Sequence, residues 1–277
     1  TWTFDDGNGN VISANQNVIV NDTTAPTIVS KPISVTLTAS GTVSITAQGV
    51  LQGGTDNCTS AIVYTLSQST FGATDANNSP ITVQLTGTDA SGNATIVPAQ
   101  VTVIDPLPIV ITQNITIELD ENGEATINAA QIDNGSNSVV GLAEEGGLSL
   151  DISSFNCSNV GTPVTVTLTA TSVLGTAEAK TAVVTVQDTI AAVVITQDIT
   201  IQLDANGDAS IDTTMIDNGS NDACGIASQI LDITTFTCSN IGDNTVTLTV
   251  TDTNGNVSSE TAVVTVQDTI AAVVITQ

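Results

Sequence analysis

One segment that is repeated letter for letter constrains the fold of this chain more than any other feature. TAVVTVQDTIAAVVITQ occupies residues 181–197 and recurs at residues 261–277. Each half, TAVVTV and AAVVITQ, is a short β-branched apolar run without helical spacing, which predicts a buried strand. The Gln-Asp-Thr between them predicts a joint between the last strand of one domain and the first strand of the next. Repetition at a spacing of 80 residues predicts a tandem array of domains.

Two weaker copies of the joint, at Asp22 and Asp105, join the exact copies at Asp188 and Asp268 in dividing the chain. The divisions predicted from them are the C-terminal part of a preceding module (1–21), three complete modules (22–104, 105–187 and 188–267) and the first strand of a following module (268–277). We therefore expect this sequence to be a window on a longer polypeptide.

The pattern inside the modules predicts an all-β fold. Val246, Leu248 and Val250 alternate with threonine, which is typical of a strand with one buried face. The turns Asp204–Asp208 and Asp252–Asn256 each predict a hairpin, with Gly207 at the position that needs a positive φ. About seven short strands in a module with frequent turns predict tandem immunoglobulin-like β-sandwiches of about 80 residues, in an elongated array.

The charge balance excludes several classes of function. With 28 acidic residues, 2 lysines and no histidine, the net charge is −26. Such a chain cannot neutralise phosphates, so we expect no nucleic-acid partner and no anionic membrane surface. No apolar run is long enough for a transmembrane helix, so we expect no membrane insertion. The sequence offers no acid–base or nucleophilic arrangement either, which predicts a protein that is not an enzyme and requires no cofactor.

The cysteines predict one disulfide. Cys224 and Cys238 lie in the same predicted module, and we expect them to be bonded to each other; the alternative is two buried free thiols. Cys58 aligns with Cys224, and its partner position aligns with Gly72. Cys157 aligns with Cys238, and its partner position aligns with Val140. The fate of Cys58 and Cys157 is left open by this alignment.

Acidic and amide side chains recur where the joints should lie, and they predict calcium sites. In a sandwich of this type the joint, the loop before the third strand and the final hairpin turn share one end, and Ca²⁺ prefers oxygen ligands. The candidate ligands of the third module are Asp188, Asp217, Asp222, Asp252, Asn254 and Asn256. The counterparts in the first module are Asp22, Asp56, Asp89 and Asn93, and those in the second are Asp105 and Asp133. The alternative is that scattered carboxylates only keep the array soluble.

Several of these blocks resemble a known family. TWTFDDGNGN, TVTDTNGNVS, the DTTAP joint and LDANGDASIDTTMIDNGSNDACGI are similar to HYR-like or immunoglobulin-like repeats of large cell-surface adhesins of Bacteroidota, including the gliding-motility type. The resemblance implies an extracellular, cell-surface protein exported by the type IX route. It also implies O-glycosylation at threonines that follow aspartate. The candidates are Thr23, Thr189, Thr213 and Thr269, and the alternative for each is an ordinary surface threonine.

Three functions follow as hypotheses. The first is a stalk or filament that provides reach and stiffness, whose partners are the neighbouring modules of the same chain and possible other copies of the filament. The second is a module that binds a glycan or a surface, for which we single out the loop 142–147; Trp2, an aromatic that such a site could use, is instead expected to be buried with Phe4. The third is a pilus-like subunit that assembles by donation of the strand 270–277 to the hairpin 1–21.

Overall fold

The computed structural model describes residues 1–58 and 61–271, and strands dominate it. The predicted all-β class is therefore confirmed. Contacts divide the chain into two compact units. The first unit comprises Thr1–Pro108, Asn137–Glu144 and Thr171–Ala177; the second comprises Ile109–Ser136, Glu145–Ala170 and the chain from Glu178 onward. The division into three modules stays a prediction. Within the described residues, no helix has the length and apolarity needed to cross a membrane.

The first unit holds an N-terminal hairpin and a sandwich. Its strands are β1 (Trp2–Asp5), β2 (Val11–Ala14), β3 (Thr27–Ser30), β4 (Ile33–Thr36), β5 (Thr42–Ser44), β6 (Leu51–Thr55), β7 (Val63–Leu66), β8 (Thr70–Gly72), β9 (Ile81–Thr88) and β10 (Ala94–Ile104). Two short helices, α1 (Ala47–Val50) and α2 (Ala73–Asn77), connect them. The main sheet has the order β4-β10-β9-β7, with β4 parallel to β10, while β3 pairs with β6 and β5 with β8. Phe71 from β8 and Leu85 from β9 are buried in one core, so the small sheets pack face to face on the main sheet.

Most of the second unit repeats this arrangement twice. Its first series is β11 (Ile115–Glu118), β12 (Glu124–Thr126), α3 (Ala129–Ile132), β13 (Leu148–Leu150), β14 (Ser154–Asn156), β15 (Val164–Thr171) and β16 (Ala177–Gln187). Its second series is β17 (Ile199–Gln202), β18 (Asp208–Ser210), α4 (Thr213–Ile216), β19 (Ile226–Leu231), β20 (Thr235–Thr237), β21 (Gly242–Asp252) and β22 (Val257–Gln267). One-turn 3-10 helices lie at Cys157–Asn159 and Cys238–Asn240. The main sheets are β11-β16-β15-β13 and β17-β22-β21-β19, and the small ones are β12-β14 and β18-β20.

The alternation predicted for one strand is confirmed. Val246, Leu248 and Val250 of β21 are fully buried, while the threonines between them are half-buried. Because successive side chains of a strand point to opposite faces, this pattern places one face of β21 in the core. That core also contains Phe236 from β20, which lies in the facing sheet.

The joint that begins at Asp188 and the turn Asp204–Asp208 both differ from the prediction. Residues 191–197 form isolated pairs only, Val193 with Asn221 and Thr196 with Asp217, and the first paired strand of the series is β17. Backbone hydrogen bonds to the loop 216–221 hold this segment, since the Asn218 N–H donates to the carbonyl of Ile195 at 2.8 Å and the Gln197 N–H donates to that of Ile216 at 2.9 Å. The Ser258 hydroxyl of β22 also donates to the carbonyl of Ala192 at 2.5 Å. The second copy of the segment falls largely on residues 272–277, which lie outside the described residues. The predicted following strand, and its donation to another subunit, are therefore not described.

The turn Asp204–Asp208 is not a hairpin. Gly207 has the expected positive φ of 83°, but β17 pairs with β22 while β18 pairs with β20. The turn therefore carries the chain from one layer of the sandwich to the other. The turn Asp252–Asn256 joins β21 to its antiparallel neighbour β22, so this hairpin is confirmed.

The predicted burial of Trp2 and Phe4 is wrong. They are 62% and 59% exposed. Both lie on the β1–β2 hairpin, whose residues are exposed on both faces because no second layer covers it among the described residues.

Candidate cation sites and the inter-repeat disulfide

The hairpin turn between β21 and β22 is organised by one buried carboxylate. Asp252 is 1% exposed. Its Oδ1 accepts the backbone N–H groups of Asn254 (2.8 Å) and Asn256 (2.9 Å), and its Oδ2 accepts the Asn256 side-chain amide at 2.8 Å. Asp89 and Asn93 form the same arrangement in the turn between β9 and β10. An Asp and an Asn four residues apart thus define a recurrent turn.

The asparagine of this turn connects it to the joint. Nδ2 of Asn256 also donates to the carbonyls of Asp188 (3.2 Å) and Ile190 (3.3 Å). In the first unit, Nδ2 of Asn93 donates to the carbonyl of Asp22 at 3.1 Å. Three acceptors surround the Asn256 amide nitrogen, so its donor end and not its oxygen faces the joint. Asn256 therefore links the joint to the turn by hydrogen bonds and does not offer the predicted ligand oxygen there.

These hydrogen bonds keep the turn carboxylates charged. Burial by itself would raise the pKa of Asp252, but the hydrogen bonds from Asn256 and from the backbone N–H groups of the turn outweigh it and lower the pKa below its ordinary value. The pKa of Asp89 is lowered by the same balance, with Asn93 as the main donor.

The turn between β15 and β16 is also hydrogen-bonded to its joint, but through different residues. Ser172 and Thr176 replace the aspartate and asparagine, and both donate their hydroxyls to Oδ2 of the joint residue Asp105 at 2.7 Å. Where the turn has lost its carboxylate, the joint supplies the acceptor. All of these residues belong to the first unit.

The first unit brings three of the predicted acidic residues together. One carboxylate oxygen from each of Asp22, Asp56 and Asp89 lies within 4.8 Å of the others. Oδ1 of Asp22 accepts the N–H of Thr24, whereas its Oδ2 is buried without a hydrogen-bond partner. Loss of solvation, with the negative charges of these three residues, raises the pKa of the nearby Cys58 thiol.

The second unit brings together fewer of its predicted ligands. Asp188 and Asp222 approach each other and the sulfur of Cys224 within 4.8 Å, and Oδ2 of Asp188 is buried without a hydrogen-bond partner. Among the described residues, Asp217 and Asp252 are not part of this group, and Oδ1 of Asn254 accepts the Thr253 hydroxyl at 3.2 Å. Asp217 instead accepts the N–H of Ser220 and closes its own loop, and Asp133 does the same for Ser136.

The fit of these groups to a cation can be judged from their donor atoms. Carboxylate oxygens are the ligands that Ca²⁺ prefers, but it takes six to eight of them. Both oxygens of Asp89 and of Asp252 already accept hydrogen bonds, so each group offers the ion only a few oxygens. In the middle repeat, Ser138 aligns with Asp56 and Asp222. Ser172 aligns with Asp89 and Asp252. At these three aligned positions the middle repeat therefore has one aspartate, Asp105, whereas each of the other two repeats has three.

A cavity in the second unit adjoins the acidic pair. Its volume is about 260 Å³, and its acidic lining residues are Asp120, Glu121, Asp188 and Asp222. The turn before β12 forms one wall, and the segments around residues 188–193 and 221–224 form the others. Residues of the predicted modules 105–187 and 188–267 thus share one acidic cavity.

The disulfide beside this cavity is not the predicted one. Cys224 is bonded to Cys157, with a Cα–Cα distance of 5.2 Å, and Cys238 is a free thiol, as is Cys58. Cys157 follows β14 and Cys224 precedes β19, so the bond joins residues of two consecutive predicted modules. The predicted pair fails because Cys238 lies beside the turn at Gly207, with its sulfur 3.8 Å from the carbonyl of that glycine, whereas Cys224 lies beside Gly123 of the preceding repeat.

The structure also corrects the alignment of the missing cysteine. Phe71, Phe155 and Phe236 occupy the same register in β8, β14 and β20. The residue two positions further on is therefore Ala73, Cys157 or Cys238, so Gly72 is not the equivalent position. A signal for the true pairing was present in the sequence. In this scheme two positions face each other at the joint between the first two repeats, and neither is a cysteine. They are Ala73 and Val140.

The four predicted glycosylation sites differ in accessibility. Thr23, Thr189 and Thr269 are exposed, whereas Thr213 is the half-buried first residue of α4. The Thr269 hydroxyl donates to Oε1 of Gln202 at 3.0 Å. Modification at any of them stays a prediction.

Comparisons with known proteins found similar chains among solved structures alone. No family model and no curated protein matches the chain. Among solved structures, it is similar to an I-band fragment of titin, domains I67–I69, with 9% identity and a TM-score of 0.35 over 89% of this chain and 100% of that one. It is similar to the extracellular cadherin domains 1–5 of protocadherin gamma B2, with 14% identity and a TM-score of 0.30 over 89% and 60%. It is also similar to the N-terminal eight Ig domains of Down syndrome cell adhesion molecule, with 11% identity and a TM-score of 0.33 over 89% and 37%. The sheet order of the chain itself defines immunoglobulin-like sandwiches in tandem.

Proposed function

We propose that this chain is part of the stalk of a large extracellular adhesin at a bacterial cell surface, of the Bacteroidota type, and that it provides reach and stiffness. The observation that carries the proposal is the disulfide Cys157–Cys224, which bonds two consecutive repeats covalently. A structural disulfide of this kind persists in an oxidising, extracellular environment. A net charge of −26 adds mutual repulsion between neighbouring copies and keeps them apart in solution.

The fold of the repeats supports the same role. The first paired strand of each main sheet lies parallel to its last strand, as in β4 with β10 and β17 with β22. A chain pulled at its ends loads these two strands in shear, so several hydrogen bonds must break together. Repeats that contact mainly their neighbours can be added without limit, which is how such arrays become long.

Single-molecule extension of the whole chain tests this role. Pulled at its ends, a stalk should unfold in discrete force steps that are clearly separated from the stretching of unfolded chain. The chain between Cys157 and Cys224, which are 67 positions apart in sequence, is shielded from force while the bond is intact. We therefore expect the oxidised chain to be about 220–240 Å shorter when fully unfolded than the reduced chain.

The matched control is the double substitution Cys157→Ser and Cys224→Ser, which should have the longer extension with or without reductant. If the wild-type chain extends without resolvable force steps, the stalk function is wrong.

Calcium at the joints is a second part of the proposal. Buried oxygens of Asp22 and Asp188 that lack a hydrogen-bond partner, each next to other carboxylates, support it. The small number of available oxygens corresponds to the weak sites of extracellular modules, with a Kd of about 10⁻⁴–10⁻³ M. Oδ1 of Asp105 is also buried without a hydrogen-bond partner. The joint at Asp105 should nevertheless not bind calcium, because Ser138 and Ser172 replace two of its carboxylates and hydroxyls donate to Oδ2 of Asp105.

Thermal unfolding of the whole chain in millimolar calcium, against sodium chloride of equal ionic strength, tests these sites. Binding to the folded state alone raises Tm. We expect Asp22→Asn and Asp188→Asn each to remove part of the rise, and Asp105→Asn to leave it unchanged. Coincident curves in calcium and sodium would show that the acidic residues serve solubility only.

The structure offers less support for the other two functions. The exposed aromatics Trp2 and Phe4 lie on the N-terminal hairpin, far along the chain from the loop 142–147 that we singled out for glycan or surface binding. Strand donation depends on residues 272–277, which lie outside the described residues. The stalk therefore remains the function that the described residues support best.

A further inference from the structure

Cys238 has the surroundings of a cysteine that is already disulfide-bonded. The sulfur of Cys157 lies 3.8 Å from the carbonyl of Gly123, and the sulfur of Cys238 lies 3.8 Å from the carbonyl of Gly207. Each cysteine begins a one-turn 3-10 helix directly after a three-residue strand. The two sulfurs therefore have the same position relative to their own repeats.

The glycine beside each sulfur is a second point of identity. A Cβ on Gly123 would lie 2.6 Å from the sulfur of Cys157, and a Cβ on Gly207 would lie 2.6 Å from the sulfur of Cys238. Both glycines have a positive φ, 74° and 83°. Both repeats thus leave the same space for the sulfur, although only Cys157 is bonded, to Cys224 of the next repeat.

Cys58 has the surroundings of the other half of such a bond. It lies eight residues after Val50, the last residue of α1, as Cys224 lies eight residues after Ile216, the last residue of α4. The N–H of Cys58 donates to Asp56 at 2.9 Å, and that of Cys224 donates to Asp222 at 2.8 Å.

The joint between the first two repeats lacks both halves. Ala73 is the counterpart of Cys157, and Val140 is the counterpart of Cys224. Val139 and Val140 pack against the core of the first unit, and the carbonyl of Val139 lies 3.4 Å from the Cβ position of Gly41, the counterpart of Gly123. The loop therefore docks on the preceding repeat here too, with apolar contact in place of a disulfide. Cysteines are present or absent in pairs across a joint, not within a repeat.

We propose that Cys238 forms a disulfide with a cysteine of a following repeat that begins at Asp268, at the position equivalent to Cys224. Residues 268–277 repeat residues 188–197 letter for letter, and this identity points to the partner. By the same rule, Cys58 pairs with a cysteine of a preceding repeat at the position equivalent to Cys157. In each reaction two thiols lose two protons and two electrons and form one S–S bond, while the disulfide of a thiol–disulfide oxidoreductase is reduced to two thiols. The inference concerns covalent linkage alone and does not depend on the adhesin function.

An extended chain tests the proposal directly. Appending residues 198–267 after Gln277 completes a second copy of the repeat 188–267, because its first ten residues are already present. We expect peptide mapping without reductant to find Cys238 bonded to the Cys224 of the appended copy. Alkylation of the folded chain should then label Cys58 and the appended Cys238. If the original Cys238 is alkylated in the folded extended chain, or bonds within its own repeat, the proposal is wrong.

Two further variants keep the test decisive. In the extended chain, Cys238→Ser should release one thiol in the appended copy at the position of Cys224, which a bond within that copy would not do. In the unextended chain, Ala73→Cys with Val140→Cys should form a second disulfide, whereas each single substitution should add a free thiol. If both new thiols are alkylated while the chain melts as the wild type does, the equivalence of the joints is wrong, whether or not the appended repeat folds.

Discussion

At the scale of single residues, a few small side chains fix the turns on which the rest is built. Gly123 shows two separate constraints at one position. Its φ of 74° disfavours any residue with a Cβ, and the sulfur of Cys157 occupies the space where that Cβ would lie. The first constraint is visible in the sequence as a turn glycine, whereas the second exists only because the fold places a cysteine sulfur against the turn.

Substitution of Gly123 by alanine separates these two constraints. Gly161 has almost the same φ, 73°, with no atom within 4 Å of its Cβ position. Gly161→Ala should therefore cost only the left-handed strain, about 1–2 kcal/mol. Gly123→Ala should cost more, since the sulfur is held by its bond to Cys224 and cannot move freely. Chemical denaturation of both variants measures the difference, and equal losses would show that the sulfur adjusts without strain.

The carboxylate of Asp252 should make stability depend on pH. Asp252→Asn keeps one acceptor oxygen but turns an amide nitrogen towards the Asn256 amide, so one buried donor loses its partner at a cost of about 1–3 kcal/mol. The folded-state pKa of Asp252 is below its ordinary value of 3.8. Its contribution is therefore present above that value and is lost as the pH falls through the lower, folded-state pKa.

We expect the difference in unfolding free energy between wild type and Asp252→Asn to be largest above about pH 5 and to shrink below the ordinary value of 3.8. Denaturation at a series of pH values measures it, with Glu144→Gln as the control for loss of one exposed charge. A difference that is constant from pH 7 down to pH 3 would contradict a role for the ionised carboxylate.

At the scale of elements, the alternating strands carry the core. Leu248 of β21 is fully buried, whereas Ile230 of the neighbouring strand β19 is 62% exposed. Leu248→Ala should destabilise the chain by about 2–5 kcal/mol, because it removes buried methyl groups and leaves a cavity. Ile230→Ala, an equally large truncation on the same sheet, should change stability by about 0.5 kcal/mol or less. Urea denaturation tests both, and similar losses would mean that the exposed face of β19 is covered in solution.

At the scale of the whole molecule, the disulfide closes the longest covalent loop in the described chain. It spans 67 residues, and the chain-entropy model predicts about 4 kcal/mol of stabilisation for such a loop. Reductant should therefore lower the Tm of the repeats in the second unit and leave the sandwich of residues 22–104 unchanged. Hydrogen exchange with and without reductant resolves the two regions, and uniform loss of protection would show that the disulfide supports the whole chain.

The charge of the molecule should make its stability depend on salt. With a net charge of −26, the acidic side chains repel one another in the compact state and destabilise it. Raising sodium chloride from 0.01 M to 0.15 M shortens the Debye length from about 30 Å to about 8 Å, so we expect Tm to rise. Sodium sulfate and sodium chloride are compared at equal ionic strength, because charge screening is then the same in both. A Tm that does not change with salt would mean that the carboxylates are too far apart to repel each other.

Local sequence patterns predict the fold class, most of the strands and most of the turns correctly. Strict alternation at Val246, Leu248 and Val250 allows only a strand with one buried face, and Gly207 marks a turn wherever the chain goes next. These are local properties, because side-chain period and backbone φ depend on adjacent residues alone. The predicted proximity of Asp22, Asp56 and Asp89 is confirmed, since it depends on the end of the sandwich at which each loop lies, whereas the same prediction was wrong for Asp217.

The pairing of elements that are distant in sequence cannot be predicted from such local patterns and follows from the tertiary structure. The turn at Asp204 looks like a hairpin turn, and only the pairing of β17 with β22 shows that it crosses between layers. Cys224 and Cys238 are near each other in sequence, but Cys157 is the residue that Cys224 meets, because its loop docks on the preceding repeat. Sequence separation measures distance along the chain, whereas a disulfide requires two sulfurs to meet in space, and that meeting depends on how one repeat packs against the next.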